Sequence, residues 1–445
     1  MLQLVCFGNY LKMKNAYTNL IAVCVLFSLP VSAFAEDTLN GADTGWIMAS
    51  TALVLFMTLP GLAMFYAGLV RSRNVLSVLM QCFAIAGVAS ILWLMFGYSL
   101  AFGEGNGFVG DFSKAMMSGI GRETLSGAIP ESLFMLFQMT FAVITPALII
   151  GAFAERMKFS AMLLFSAVWL ILVYAPVTHW VWSESGWLFK MGLYDFAGGT
   201  VVHITAGVAA LVSAIVIGPR RGFPETAMMP HNMTMTIAGA GMLWVGWFGF
   251  NGGSALAANG NASMAMLVTH ISAATGAMTW MVIEWIRFGK PSALGVVTGM
   301  VAGLGTITPA SGFVGPGGAL IIGLLAGGVC FTATQYIKRV LKIDDSLDVF
   351  PVHGVGGILG TLLAGVFSAT SLGVFSGYGF AGGIESMAGQ LKVQFIGVIA
   401  TIIFTAVVTW VILKVIDALI GLRVTEEEEI EGLDIALHEE RGYDL

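Results

Sequence analysis

The chain has 445 residues, of which 57% are hydrophobic and only 10% charged. A soluble domain carries about 25% charged residues, so this composition cannot clothe a water-facing surface, and lipid is the expected solvent. The 20 basic and 26 acidic residues give a net charge of −6, and no basic stretch among them points to a nucleic-acid partner.

Residues 1–35 read as a signal peptide. Lys12 and Lys14 supply the positive region, Leu20 to Leu29 the apolar run, and Ala33-Phe34-Ala35 the small-residue cleavage site. Cleavage there leaves a chain starting at Glu36, with 18 basic against 26 acidic residues, a net charge of −8. Cys6 and Cys24 lie in this leader, and Cys82 and Cys330 lie in apolar runs, so the spacing offers neither a disulfide framework nor a metal motif.

From there the membrane domain runs over 36–422, and a polar tail over 423–445. Apolar runs of spanning length lie at about 46–70, 75–102, 131–154, 159–182, 196–218, 232–258, 263–287, 293–311, 317–340, 348–371 and 393–422. The fold class is therefore an all-α integral membrane protein with eleven spans. Connections assigned alternately place Arg71, Arg73, Arg156, Lys158, Arg220, Arg221, Arg287, Lys290, Lys338, Arg339 and Lys342 on one side. Only Lys114, Arg122, Lys190 and Lys392 fall on the other. The richer side is the expected cytoplasmic one, which puts the mature N-terminus outside and the tail inside. Five spans before residue 225 and five after it would have opposite orientations, the plan of an inverted repeat with its site near the midplane. A final helix completes the fold.

Ionisable residues within spans are costly and mark function. His203 lies in the fifth span and His353 in the tenth, the matching position of the second repeat. An aspartate is expected to open each of these helices as an N-cap, Asp195 for the fifth and Asp348 for the tenth. Asp195 precedes His203 by eight residues, about 12 Å of helix. The repeat sets the two histidines face to face across its axis.

The segments Asp195–His203, Trp247–Ser254 and Asp348–His353 resemble signatures of the ammonium transporter (Amt/Mep/Rh) family. So do Phe137–Phe141 and Gly151–Arg156. The resemblance, to the bacterial Amt branch, runs from about Gly45 to the C-terminus. It implies eleven helices, a homotrimer in the bacterial inner membrane and one pore per subunit, with ammonium (or its analogue methylammonium) as substrate. It also implies that Phe141, Trp182 and Ser254 recruit ammonium, with Asp195 a structurally required acid beside them. Phe141 and Phe250 match rings that close the pore, His203 and His353 its twin histidines, and Trp247 and Thr308 further pore-wall positions. Trp180 and Trp187 compete with Trp182 for the recruitment role.

The physics of such a lumen is consistent with this. An aromatic face attracts a small cation by about 0.5–2 kcal/mol, and a serine hydroxyl accepts one of its hydrogen bonds. A bare charge in an apolar channel costs far more, whereas neutral ammonia bears no such penalty. Potassium has no proton to lose and is refused. His270 reads as core packing, His179 as interfacial, and His231 and His438 as solvated. No nucleophile–base or metal-ligand set is visible, so neither an enzyme nor a cofactor is expected. Glu426 to Glu429 alone read as a solvated run, but Glu431-Gly432-Leu433-Asp434 resembles the tail of bacterial family members, which implies a PII-type signal protein as partner. An ammonium sensor signalling through the tail is the alternative. A tail of about 23 residues argues against an autonomous output domain, and the recruitment set argues against a Rh-like gas channel.

Overall fold

The computed structural model describes residues 38–444. The expected signal peptide, with Cys6 and Cys24, lies outside the described residues. Among the described residues ten helices are long and apolar enough to cross a membrane. In chain order these are α1 (Gly41–Leu69), α2 (Ser72–Phe102), α3 (Glu131–Phe153), α4 (Phe159–Lys190), α5 (Gly199–Ile217), α6 (Met233–Gly252) and α7 (Gly260–Phe288), then α9 (Pro316–Val340), α10 (Phe350–Phe367) and α11 (Met387–Ile420). The expected eighth span is the helix α8, Ala293–Ile307, of only 15 residues. That is short of the roughly 20 residues a crossing needs. It is capped by the Ser292 hydroxyl, which accepts from Gly295 N at 2.8 Å, and it packs against α6, α7, α9 and α10. The all-α expectation misses one two-stranded hairpin between α2 and α3, β1 (Leu125–Ser126) with β2 (Ile129–Pro130).

Burial separates centre from rim. In α3 and α5, 83% and 78% of the apolar window is buried, against 39% in α2, α7 and α11. The central pair carries Phe141 and His203, so the chemistry sits where lipid does not reach. Among the described residues seven helices contain a π-helical turn, and three of these turns hold candidate site residues. They are Gly199–Ile204 at the start of α5, Phe248–Gly252 at the end of α6 and Phe350–Gly354 at the start of α10. Such turns concentrate at functional sites because they re-aim side chains and loosen the backbone ladder.

At one end of the bundle the connections are tied together. Glu155, after α3, pairs with Arg71 at 2.8 Å and with Arg220 at 3.1 Å, and Arg220 also reaches Asp344 at 2.8 Å. Burial works to raise the Glu155 carboxyl, but Arg220 and Arg71 hold it below its ordinary value. Arg156 donates to the carbonyls of Gly218, Ala152 and Asp344 and to Ser346 Oγ at 2.7–2.8 Å. Its complete burial brings the guanidinium down to about 10, against the pull of Asp344.

The tail lies on this same end. Lys158 N donates to Leu422 O at 2.9 Å and Val424 N to Arg156 O at 3.1 Å. The expected solvated run folds instead as α12 (Glu426–Glu431), followed by α13 (Leu433–His438). Glu429 is buried between Arg423, at 2.7 Å, and the amide of Arg221, at 2.8 Å. His231 and His438 are not free in solvent either. His231 bonds Val70 O at 2.8 Å and Tyr443 Oη at 3.0 Å, and His438 stacks edge-on against Phe159.

Candidate functional site

The first shared feature of the site is a helix cap. Gly198 sits at φ +117°, a conformation open to glycine. It turns the chain so that the Asp195 carboxylate faces the open start of α5. There the carboxylate accepts from the amides of Gly198, Gly199, Thr200 and Val201 and from the Thr200 hydroxyl. Both oxygens are used, so Asp195 positions α5 and leaves no lone pair aimed at a cation.

In α10 the sequence expectation needs correction. Asp348 does not cap. It adopts φ +62° and pairs with Lys338 at 2.8 Å. The cap is Asp345, which accepts from Phe350 N at 2.7 Å. Asp345 stands eight residues before His353, as Asp195 stands eight before His203, and Asp348 stands only five before it. The two capped helices then cross with glycine against glycine. A Cβ on Gly207 of α5 would lie 2.3 Å from Gly354 Cα of α10. This absence of side chains lets the helices close in.

The approach brings the two histidine rings together. Their centroids are 5.2 Å apart at 13°, and Nδ1 meets Nδ1 at 3.1 Å. A hydrogen bond between two such nitrogens holds one proton. One ring therefore has a bare Nε2 and the other an Nε2–H. His203 Nε2 is buried with no partner among the described residues. Trp247 stacks on His203 at 5.6 Å and 13°, fixed by its Nε1–H donating to Thr308 Oγ1 at 2.9 Å. Phe250 lies 6.2 Å from His203 and 5.3 Å from Trp247, and Phe141 faces Phe250 at 4.4 Å. Both phenylalanines are buried.

Beyond the Phe141–Phe250 pair, at the end remote from the tail, lies a cavity of about 140 Å³. Phe141, Trp182, Ser254, Gln138 and Phe196 line it. Trp182 meets Phe141 edge-on at 5.6 Å and donates its Nε1–H to Asp195 O at 2.9 Å. Trp180 and Trp187 pack on each other and on Phe108, away from this cavity. The Ser254 hydroxyl donates to Phe250 O at 2.8 Å, which leaves its lone pairs free. Gln138 was not singled out by the sequence reading. Its Oε1 is buried without a partner among the described residues. The usable signal was its place three residues before Phe141, on the same helix face. Aromatic faces, a hydroxyl oxygen and an amide oxygen suit a small cation with N–H donors.

On the tail side of His353 a second cavity, of about 100 Å³, is lined by Phe65, Tyr66, Lys338 and Asp348. The remaining candidates fall elsewhere. His270 is exposed beside Trp244 rather than in the core. His179 is fully buried rather than interfacial, with Ala101 O at 2.9 Å and Asn106 O at 2.6 Å on its two nitrogens.

Known proteins share sequence with this chain along most of its length. The pattern of the Ammonium Transporter Family matches residues 45–443. The chain is 48% identical over 403 residues to the ammonium transporter of Bacillus subtilis, covering 90% of this chain and 98% of that protein. It is 46% identical over 407 residues to ammonium transporter Amt1 of Archaeoglobus fulgidus, covering 91% and 100%. Among solved structures, Mep2 of Saccharomyces cerevisiae superposes with a TM-score of 0.79 at 36% identity, covering 88% of this chain and 92% of Mep2. A Sensor Amt Protein superposes at 0.83 with 30% identity, covering 89% and 98%. This multi-pass membrane protein belongs to the ammonium transporter family.

Proposed function

We propose that the protein recruits ammonium at Trp182, Phe141 and Ser254, deprotonates it, and passes ammonia between Phe141 and Phe250 into a lumen lined by His203, His353, Trp247 and Thr308. Family membership supports ammonium or ammonia as the substrate. The observation that carries the mechanism is the buried 3.1 Å Nδ1–Nδ1 contact below the closely packed, mutually tilted rings of Phe141 and Phe250. An apolar lumen prices a bare cation out by several kcal/mol. A histidine pair sharing one proton offers ammonia one acceptor and one donor, and it can pass a proton on. Asp195 acts through α5, by fixing the depth of His203.

In this reading α8 completes eleven crossings, in two inverted five-helix repeats and a last helix. The matched eight-residue spacing from Asp195 to His203 and from Asp345 to His353 supports the repeat. The domain layout is a signal peptide at 1–35, a membrane domain at 36–422 and a cytoplasmic tail at 423–445, with the protein a homotrimer in the bacterial inner membrane. The tail, laid across the connections at its own end of the bundle, is the surface for a PII-type signal protein.

The test is selectivity. His203→Asp or His353→Asp puts an acceptor, and with ionisation a charge, into the lumen, which offsets part of a cation's desolvation. Each variant should admit potassium into liposomes at matched protein density while wild type excludes it. Equal exclusion by all three removes the histidines from the filter and leaves the Phe141–Phe250 pair to carry selectivity. The likeness to the Sensor Amt Protein supports a second reading, an ammonium sensor. Methylammonium flux through the purified protein decides between them, because a pure sensor carries none.

A further inference from the structure

The tail-side mouth of the lumen holds a side chain that imitates the substrate. Lys338 Nζ is a primary ammonium, and it lies 2.8 Å from Asp348 Oδ2 and 3.5 Å from the Ser346 carbonyl oxygen. All three residues line the cavity that His353 also borders, beside Tyr66 and Phe65. Its volume of about 100 Å³ exceeds what a single water-sized molecule needs. Two features go beyond an ordinary surface ion pair. Asp348 sits at φ +62°, a left-handed conformation that is costly for a residue with a Cβ and is kept where the surroundings enforce it. Its second oxygen, Oδ1, is buried and has no partner among the described residues, so the carboxylate has accepting capacity that Lys338 does not use.

We infer that Asp348 and the Ser346 carbonyl form a second site for ammonium or a small primary ammonium ion, at the tail-side mouth, and that Lys338 occupies it as a tethered competitor. An acceptor geometry that holds R–NH₃⁺ holds methylammonium equally well, since the two differ only beyond the nitrogen. The consequence is competition for the site. A cation approaching from the tail side meets a site already filled by a fixed positive charge, whereas neutral ammonia meets no such barrier in either direction.

This inference rests on the ammonium reading above, and its test separates the two. Methylammonium flux is measured in sealed membrane vesicles of both orientations, for wild type, Lys338→Met and Lys338→Arg. Removing the charge while keeping the length should lower the methylammonium concentration that half-saturates flux from the tail side about tenfold, at the low end of what one sign of charge in a cleft does to local cation concentration. Half-saturation from the opposite side should stay unchanged, and Lys338→Arg should behave as wild type. Lys338→Gln serves as a second neutral variant if Lys338→Met does not fold. In crystals soaked in rubidium, a cation of ammonium's size and charge, the neutral variant should show an anomalous peak at the Asp348 carboxylate. Wild type and the double variant Lys338→Met/Asp348→Asn should show none. An unchanged tail-side half-saturation, or no rubidium at Asp348, overturns the inference. If wild type carries no methylammonium in either direction, the transport reading itself fails.

Discussion

α5 and α10 each present a histidine eight residues after a buried aspartate, and each opens with a π-helical turn. The two aspartates are satisfied unequally. Asp195 accepts from four backbone amides and a hydroxyl, and uses both oxygens. Asp345 accepts from Phe350 N through Oδ2, and its Oδ1 is buried with no partner among the described residues. Burial, and then the charge of Asp348, pushes the Asp345 carboxyl up to about 7. The same eight-residue spacing thus starts from a fully hydrogen-bonded carboxylate ahead of α5 and from a group that takes up a proton near neutrality ahead of α10. The two histidines follow their caps at equal spacing, but the caps differ in how fully they are hydrogen-bonded.

The largest expected effect breaks this comparison at its compensated end. Asp195→Ala leaves four buried amides without their acceptor, at about 1–3 kcal/mol each where nothing replaces it. Some of them will find water or shift. A net loss of roughly 3–6 kcal/mol is expected, read as a large fall in the thermal midpoint of the detergent-solubilised protein. A fall no larger than that of Asp345→Ala would mean that the extra bonds at α5 contribute nothing.

How far the sequence revealed these features depended on whether their signal was local. Low charge, apolar runs and the segregation of Lys and Arg exposed the membrane helices, because each is a property of a short window. The histidine pair was legible because a charge-capable residue stands out in an apolar span. Trp182 is distinguishable from Trp180 and Trp187 only in the folded chain, where it lines one cavity with Ser254 and they do not. Asp345 was hidden by Asp348, which stands closer to its helix and looks the better cap. Only the positive φ at Asp348 and the pull of Lys338 take it out of that role. Gln138 has only its place three residues before Phe141 as a local mark, and a glutamine on an apolar helix is equally a packing residue. The burial of His179 comes from carbonyls at Ala101 and Asn106, more than 70 positions away, which no spacing rule reaches.

The next effect sharpens the comparison at its titrating end. Asp345 is protonated in the folded protein up to about pH 7, whereas the unfolded carboxyl releases its proton near 3.8. Between these values the folded state binds more protons than the unfolded one. Stability from this group is therefore complete below pH 4 and is lost as pH rises through 7, at up to about 1.4 kcal/mol per pH unit. Asp345→Asn keeps the acceptor for Phe350 N and cannot ionise. Its stability should lack that decline, so the gap between variant and wild type should widen from pH 4 to pH 7. Parallel melting curves for the two proteins across that range would show that Asp345 is ionised throughout.

The smallest effect concerns a third cap of the same chemistry, supplied from the far end of the chain. The Asp434 carboxylate accepts from Ser77 N at 2.7 Å and Leu76 N at 3.1 Å, at the start of α2, while Leu433 N donates to Asn74 Oδ1 at 2.8 Å. Gly432 makes this docking tight, because a Cβ there would stand 2.5 Å from Arg73 Cβ. Asp434 satisfies two amides where Asp195 satisfies four, and it sits at the bundle's end, where water can replace it. Asp434→Ala should cost about 1 kcal/mol of stability, the ordinary worth of an N-cap. Its clearer mark should be local. Amide hydrogen exchange in α12 and α13 should accelerate by about the factor that free energy implies, roughly fivefold. Exchange in α5 and α10 should stay as in wild type. If exchange accelerates in α10 as well, the tail and the Asp345 cap form one cooperative unit, and the difference between the caps of α5 and α10 extends to the tail.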